Sequence, residues 1–227
     1  DLESVNHYKD QTDIFFTCHE FSYNKIAEAY EPYLGLIRQM FHKYCSGTLE
    51  EFMEECDVYK LQRPVFESYF EKGFCERTEQ ILIDEVEYEQ ERMHSSIVTM
   101  LQKLSEICPI VIVLNRFQLA SKSTMQLTNR LLQTKNKNIG IVLGVNDVQS
   151  IPEFAHEEWD AICESMDDRN MVYHIGNAGR NMEPDVMDYY SDYESDDGYR
   201  KLNNLVYFLD FDQADHHLSK IERRIDR

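Results

Sequence analysis

Short apolar segments, separated by longer amphipathic ones, predict the β-strands of this chain. Residues 110–114 (IVIVL) and 139–145 (IGIVLGV) are apolar at nearly every position instead of alternating with polar residues. Such runs are typical of central strands in a parallel sheet, where helices cover both faces. Two further β-rich runs, residues 13–18 (DIFFTC) and 171–175 (MVYHI), predict additional strands of the same sheet.

Between these runs, apolar residues recur at helical spacing and predict amphipathic helices. Pro32 suits the first position of one helix, and Pro109 ends a second because proline cannot continue a helix. Ser121 or Ser123 is the expected N-cap of a third. The alternation of strand and helix predicts an α/β fold with a parallel sheet flanked by helices. The expected core stripes are Tyr33, Ile37, Met40, Phe41 and Tyr44, then Met93, Ile97, Met100, Leu101 and Leu104, then Met125, Leu131 and Leu132.

The same pattern divides the chain into parts. Residues 1–181 are expected to form the α/β domain, with an acidic helical insertion at about 46–91. Residues 182–199 hold acids and tyrosines but no basic residue, and charge repulsion makes them an expected linker. Residues 200–227 predict a helical hairpin with its turn at 210–212, which must pack on the α/β domain or on a continuation of the chain. Its expected apolar stripes are Leu202, Leu205, Val206 and Leu209, then Ala214, Leu218, Ile221 and Ile225.

The charge balance limits the classes of partner. The chain has 42 acidic and 23 basic side chains, a net charge of −19, so most of its surface repels a polyanion. We therefore expect no direct nucleic-acid contact. No apolar run approaches the roughly 20 residues that a membrane-spanning helix needs. We expect a cytoplasmic protein that does not interact with membranes.

The cysteines and histidines lack the spacing of a metal site. The six cysteines lie far apart and include no Cys-x-x-Cys pair, so reduced thiols in a reducing compartment are expected. Adjacent residues of a helix point about 100° apart, so His216 and His217 are expected to be surface residues, not ligands of one ion. No catalytic constellation emerges from these residues.

Residues 109–132 (PIVIVLNRFQLASKSTMQLTNRLL) carry the strongest motif. The segment resembles the second-strand motif of STAND-type ATPases, a branch of the AAA+ proteins. In that family an apolar strand ends in two acids, followed by an apolar-Gln-aromatic-Ala-Asp stretch and a helix. Here Asn115 and Arg116 stand at the two acidic positions. The resemblance implies a P-loop NTPase-like parallel sheet and places both residues at a nucleotide site.

Other segments resemble the same family. Residues 15–41 are similar to the region where a strand leads into a Pro-Tyr segment and an amphipathic helix. Residues 139–147 (IGIVLGVND) resemble the strand that ends in a sensor residue, here Asn146. Residues 210–225 are similar to the start of a tetratricopeptide-type helical array. The resemblance covers about residues 12–180 and, more weakly, 200–227.

The departures from the family bear directly on ATP chemistry. The phosphate loop Gly-x-x-x-x-Gly-Lys-Ser/Thr, which cradles the phosphates and holds Mg²⁺ through its hydroxyl, does not occur in the sequence. In the family order that loop would precede residue 1, so a longer protein is expected. Asn115 offers a neutral amide where Mg²⁺ prefers a carboxylate, and Arg116 has the wrong sign to polarise water. We expect no hydrolysis and no cofactor for this chain alone, while the resemblance implies ATP and Mg²⁺ for the full protein. A strand-end cap and a surface charge are alternative roles for Asn115 and Arg116.

These observations leave several functions open. The chain is expected to be a regulatory module of a larger bacterial-type regulator, with degenerate catalytic motifs. Alternatively it belongs to an active ATP switch whose phosphate loop lies outside the chain, or it is an interaction scaffold that docks through its acidic helices or tyrosine-rich linker. Its expected partners are other domains of the same protein or a separate protein.

Overall fold

The computed structural model describes residues 13–22, 25–75, 86–134, 136–146, 151–167 and 196–225. Its strands are β1 (Phe15–Glu20), β2 (Ile110–Asn115) and β3 (Ile139–Gly144). The helices of these ranges are α1 (Tyr33–Tyr44), α2 (Leu49–Glu55), α3 (Arg63–Lys72), α4 (Val86–Ile107), α5 (Lys122–Gln133), α6 (His156–Asp167), α7 (Asp196–Tyr207) and α8 (Phe211–Ile225). None of these helices combines the length and the apolarity needed to cross a bilayer.

The strands form one parallel sheet in the order β1-β2-β3. Phe15 lies opposite Ile110, which lies opposite Ile139, and this register continues to the end of each strand. The parallel arrangement predicted from the apolar runs is confirmed for these strands. The strand predicted at residues 171–175 lies outside the described residues.

The two faces of the sheet differ in burial. Ile110, Ile112 and Leu114 of β2 are almost fully buried on one face. On the other face Cys18 is exposed and Val142 is 53% exposed. The prediction that helices bury both faces is therefore wrong for β3, because a continuously apolar run does not reveal whether a second layer covers it.

Helices α1, α4 and α5 follow the predicted periodicity. All five residues of the predicted α4 stripe, from Met93 to Leu104, are at most 1% exposed. Of the two candidate caps, Ser121 occupies the N-cap position of α5, and its hydroxyl accepts a 3.2 Å hydrogen bond from the Thr124 N–H. The buried stripe accounts for all three helices, and the Ser121 cap additionally fixes the start of α5.

The helices of the predicted insertion are part of the core. A capping box between Thr48 and Glu51 starts α2 and satisfies two backbone donors. Phe52 of α2 and Phe70 of α3 pack against Phe41 of α1, with ring centroids 5.2 and 6.1 Å apart. The insertion thus buries aromatic side chains toward α1, while the four glutamates of α2 are exposed.

The C-terminal hairpin joins the same core. Leu205 and Phe208 are fully buried among residues of the α/β domain. Helix α7 begins at Asp196, so residues 196–199 are helical and not linker; residues 182–195 lie outside the described residues. Because Phe211 already begins α8, the turn ends at Asp210, earlier than predicted.

The second apolar stripe of the hairpin is only partly buried. Ala214 is 4% exposed, but Leu218, predicted to face the core, is 47% exposed. His217, predicted to lie on the surface, is 5% exposed, and its Nε2 is 3.0 Å from Gln213 Nε2. The side that α8 buries is therefore rotated toward Gln213 and His217, away from the predicted stripe.

Candidate functional site

The carboxyl ends of the strands bring the predicted site residues to one edge of the sheet. Glu20, Asn115 and Gly144 end β1, β2 and β3 and lie in register beside one another. In open parallel sheets, ligands bind in the crevice outside these carboxyl ends. This edge is therefore the candidate site.

Asn115 contacts both neighbouring strands. Its Nδ2 donates to Cys18 Sγ at 3.9 Å, and its backbone carbonyl accepts from the Phe21 N–H at 3.0 Å. Its Oδ1 lies over Gly144, where an added Cβ would be only 2.8 Å away. The absence of a side chain at Gly144 thus leaves room for the Asn115 amide, which hydrogen-bonds to β1 and lies over β3.

Arg116 ends the central strand and pairs with the end of β1. Its backbone is left-handed, with φ 54°, so the chain turns sharply out of the sheet at this residue. Its Nε is 3.3 Å from Glu20 Oε1, and both side chains are exposed. An exposed pair of this kind contributes little to stability, at most about 1 kcal/mol. The pair nevertheless places a positive charge beside the Glu20 carboxylate at the end of β1.

Asn146 lies just beyond β3 and contacts Gln118, a residue that sequence reasoning did not single out. Gln118 Nε2 donates to Asn146 Oδ1. Gln118 is fully buried, and its Oε1 has no hydrogen-bond partner in the described structure. Two sequence signals point to Gln118: its apolar neighbours Phe117 and Leu119, which predict burial, and the glutamine of the ATPase motif that this segment resembles.

His19 is near this edge but does not face the same side. Its Nε2 lies 3.4 Å from Glu31 Oε1. Burial, together with the positive charge of Lys25, lowers the pKa of His19 to about 4, although the negative charge of Glu20 opposes this shift. At neutral pH the imidazole is therefore uncharged, and its contact with Glu31 is not an ion pair.

The side chains at this edge do not match the donor set of a magnesium nucleotide. Mg²⁺ requires oxygen ligands, usually carboxylates, whereas β2 ends in an amide and an arginine. The Glu20 carboxylate is paired with Arg116. Across the described ranges, no group of three or more His, Cys, Asp or Glu side chains is arranged to hold a metal ion.

Comparison with known proteins assigns no family to this geometry. No family model matches the chain, and no curated protein or solved structure shows significant similarity to it. The roles given to Asn115, Arg116 and Asn146 therefore depend on the motif resemblance and on their position at the carboxyl edge, and they stay predictions.

Proposed function

We propose that this chain is a regulatory signal-transduction module of a larger, bacterial-type multidomain regulator in the cytoplasm. It has a P-loop NTPase-like fold with degenerate catalytic positions and does not hydrolyse ATP by itself. The observation that supports it most directly is that β2 ends in an amide that contacts Cys18 and an arginine that pairs with Glu20. The six cysteines, all within the described ranges, form no disulfide, which supports a reducing compartment.

The chemistry of phosphoryl transfer supports this proposal. Hydrolysis needs a carboxylate to hold Mg²⁺ and a group to orient the attacking water. The Asn115 amide carries no charge, and the Arg116 guanidinium offers only hydrogen-bond donors and no acceptor. A preserved parallel sheet with these residues at its edge suits a module that holds or transmits a state.

Nucleotide titrations test the proposal. We expect isothermal titration calorimetry with Mg-ATP to detect no metal-dependent binding, and phosphate-release assays to detect no turnover. The double variant Asn115→Asp/Arg116→Glu is expected to bind Mn²⁺, used as a spectroscopic probe, more tightly than the parent. The double variant Arg200→Glu/Asn203→Asp, which makes the same change of three charge units at exposed positions of α7, is the matched control. Metal-dependent turnover by the parent chain would instead support the active ATP switch.

A second candidate function is a protein-interaction scaffold. The open sheet face favours it, since Cys18 is exposed and Val142 is 53% exposed on the same side. If another domain covers this face in the full regulator, Cys18 is alkylated more slowly there than in the isolated chain. Equal rates in both contexts, measured by peptide mass spectrometry with the half-buried Cys163 as internal reference, would contradict this function.

A further inference from the structure

A polar cleft lies between α4, α5 and α6, away from the carboxyl edge of the sheet. Its volume is about 720 Å³, and its walls include His94 from α4, Arg130 from α5 and Glu158 from α6. Clefts of about 300–1,000 Å³ accommodate small molecules. The size and the separate location indicate a second site, distinct from the one at the strand ends.

Two buried polar atoms in the walls have no hydrogen-bond partner in the described structure. They are Nε2 of His94, a residue only 8% exposed, and Oε2 of Glu158 on the facing helix. A buried polar atom without a partner costs about 1–3 kcal/mol, so its presence in a native protein requires an explanation. A bound molecule that supplies the missing partners is such an explanation.

Both unpartnered atoms suit a donor from the ligand. A carboxylate oxygen only accepts hydrogen bonds, and a neutral imidazole accepts at Nε2 when Nδ1 carries the proton. Burial and the positive charge of Arg130 lower the pKa of His94 to about 4, so this ring is neutral at pH 7. A ligand that satisfies both atoms therefore carries one N–H or O–H donor for Glu158 and, with His94 in its Nδ1–H tautomer, a second donor for Nε2.

The charge of the walls selects a cation among such ligands. Four glutamates and one arginine line the cleft, and the arginine is already bound to Glu91 and to Ser95. Glu158 Oε1 accepts from Gln126 at 2.8 Å and lies 3.8 Å from Lys122, whose ammonium also contacts Asp212 at 2.6 Å. Lys122 thus divides its charge between two carboxylates and leaves Glu158 Oε2 without a partner. The four glutamates are Glu87, Glu91, Glu157 and Glu158.

We propose that this cleft binds a small organic cation with two or more N–H donors, of the diamine, polyamine or alkylguanidine class. The ligand places one donor on Glu158 Oε2 and another on His94 Nε2, and so bridges α6 to α4. A bare metal ion does not fit, since no three ligand side chains converge in the described part of the chain. Binding would join α4, α5 and α6, the last two of which already pack against each other.

Calorimetric titration of the full chain tests the site. The probes are putrescine, spermidine and agmatine in buffer of about 150 mM salt, which screens diffuse attraction to the acidic surface. The neutral diol 1,4-butanediol is the control ligand. We expect saturable binding at one site for at least one cation and none for the diol. No saturable binding of any cation, or equal binding of the diol, would overturn the proposal.

Matched variants locate the binding. Glu158→Gln should weaken binding of the best probe about tenfold or more, the usual loss for a hydrogen bond to a charged group. Glu164→Gln removes the same charge from an exposed position of α6 outside the cleft and should leave the affinity within about twofold. An equal loss in both variants would mean diffuse attraction and would overturn the site. If Glu158→Gln fails to fold, the exposed wall residue Glu157, changed to Gln, replaces it in the same comparison with Glu164→Gln.

Discussion

Asp210 Oδ2 accepts a 2.9 Å hydrogen bond from the backbone N–H of Ser123, and this contact joins the hairpin to the first turn of α5. The other carboxylate oxygen accepts from the Gln213 N–H at 3.4 Å, in the first turn of α8. One buried carboxyl group thus satisfies donors at two helix N-termini, where the helix dipole favours negative charge. The turn of the hairpin is in this way tied to the α/β domain.

Loss of the Asp210 carboxyl group should destabilise the whole fold. Asp210→Ala leaves two buried N–H groups without partners, and we expect the free energy of unfolding in urea to fall by about 1–3 kcal/mol. Asp215→Ala is the control, because Asp215 lies exposed on α8, the helix that begins directly after Asp210, and should change that free energy by less than about 0.5 kcal/mol. Equal effects of the two substitutions would show that the contact with Ser123 contributes nothing.

The same carboxyl group should give stability a definite pH dependence. Burial raises the pKa of Asp210 above its usual value, although hydrogen bonds from Ser123 and Gln213 oppose the shift. The native state therefore binds this proton at a higher pH than the unfolded state, and stability falls as pH rises from about 3.8 through the native pKa. Relative to Asp210→Asn, which cannot titrate, the parent should gain unfolding free energy between pH 7 and pH 4. A relative loss over that range would mean that the hydrogen bonds outweigh burial.

Phe208 should anchor the hairpin through aromatic packing. Its ring is fully buried, with centroids 5.8 Å from Tyr30, 5.9 Å from Phe66 and 5.8 Å from Tyr69. Phe208→Ala should lower the free energy of unfolding by about 3–5 kcal/mol. The exposed Leu218, changed to Ala, is the size-reducing control and should cost less than about 0.5 kcal/mol.

Proteolysis of Phe208→Ala distinguishes unfolding of the whole fold from unfolding of the hairpin alone. If the hairpin and the α/β domain unfold as one unit, Phe208→Ala should raise cleavage in α4 and α7 together under native conditions. Cleavage confined to α7 and α8 would contradict a shared core and support a separable hairpin.

Periodicity predicted those parts of the fold whose burial depends on local sequence. The α4 stripe could be predicted because Met93, Ile97 and Leu104 repeat at helical spacing and all face one core. The exposure of Val142 could not be predicted, because the sequence of an apolar strand is the same whether or not a second layer covers it. Hydrogen bonds between distant parts of the chain could not be predicted either. Asn204 Oδ1, for example, accepts from the Cys75 N–H at 2.9 Å, and the two residues are 129 positions apart in the sequence.

The motif resemblance selected Asn115 and Asn146 as candidate site residues, and the structure places them at or just beyond the carboxyl ends of β2 and β3. Their contacts could not be predicted. The pairing of Arg116 with Glu20 required the register of β1 against β2, which no local pattern specifies. To predict that Asn146 contacts Gln118, one would have to know that the Gln118 side chain is buried beside it. Sequence motifs therefore indicated the carboxyl edge of the sheet, while the tertiary structure determined which side chains contact one another there.

Two glycines should respond in opposite directions to the same added methyl group. Gly73 ends α3 with φ +79°, a conformation that costs an L-residue about 1–2 kcal/mol, so Gly73→Ala should lower the free energy of unfolding by that amount. Gly140 lies in β3 without a positive φ, and an added Cβ would contact Val111 Cγ2 at an ordinary 3.7 Å. Gly140→Ala should therefore raise the free energy by about 0.4–1 kcal/mol, because it restricts mainly the unfolded chain. Urea unfolding of both variants measures the signs, and a loss at Gly140 would mean that the open sheet face is more tightly covered than its exposed position indicates.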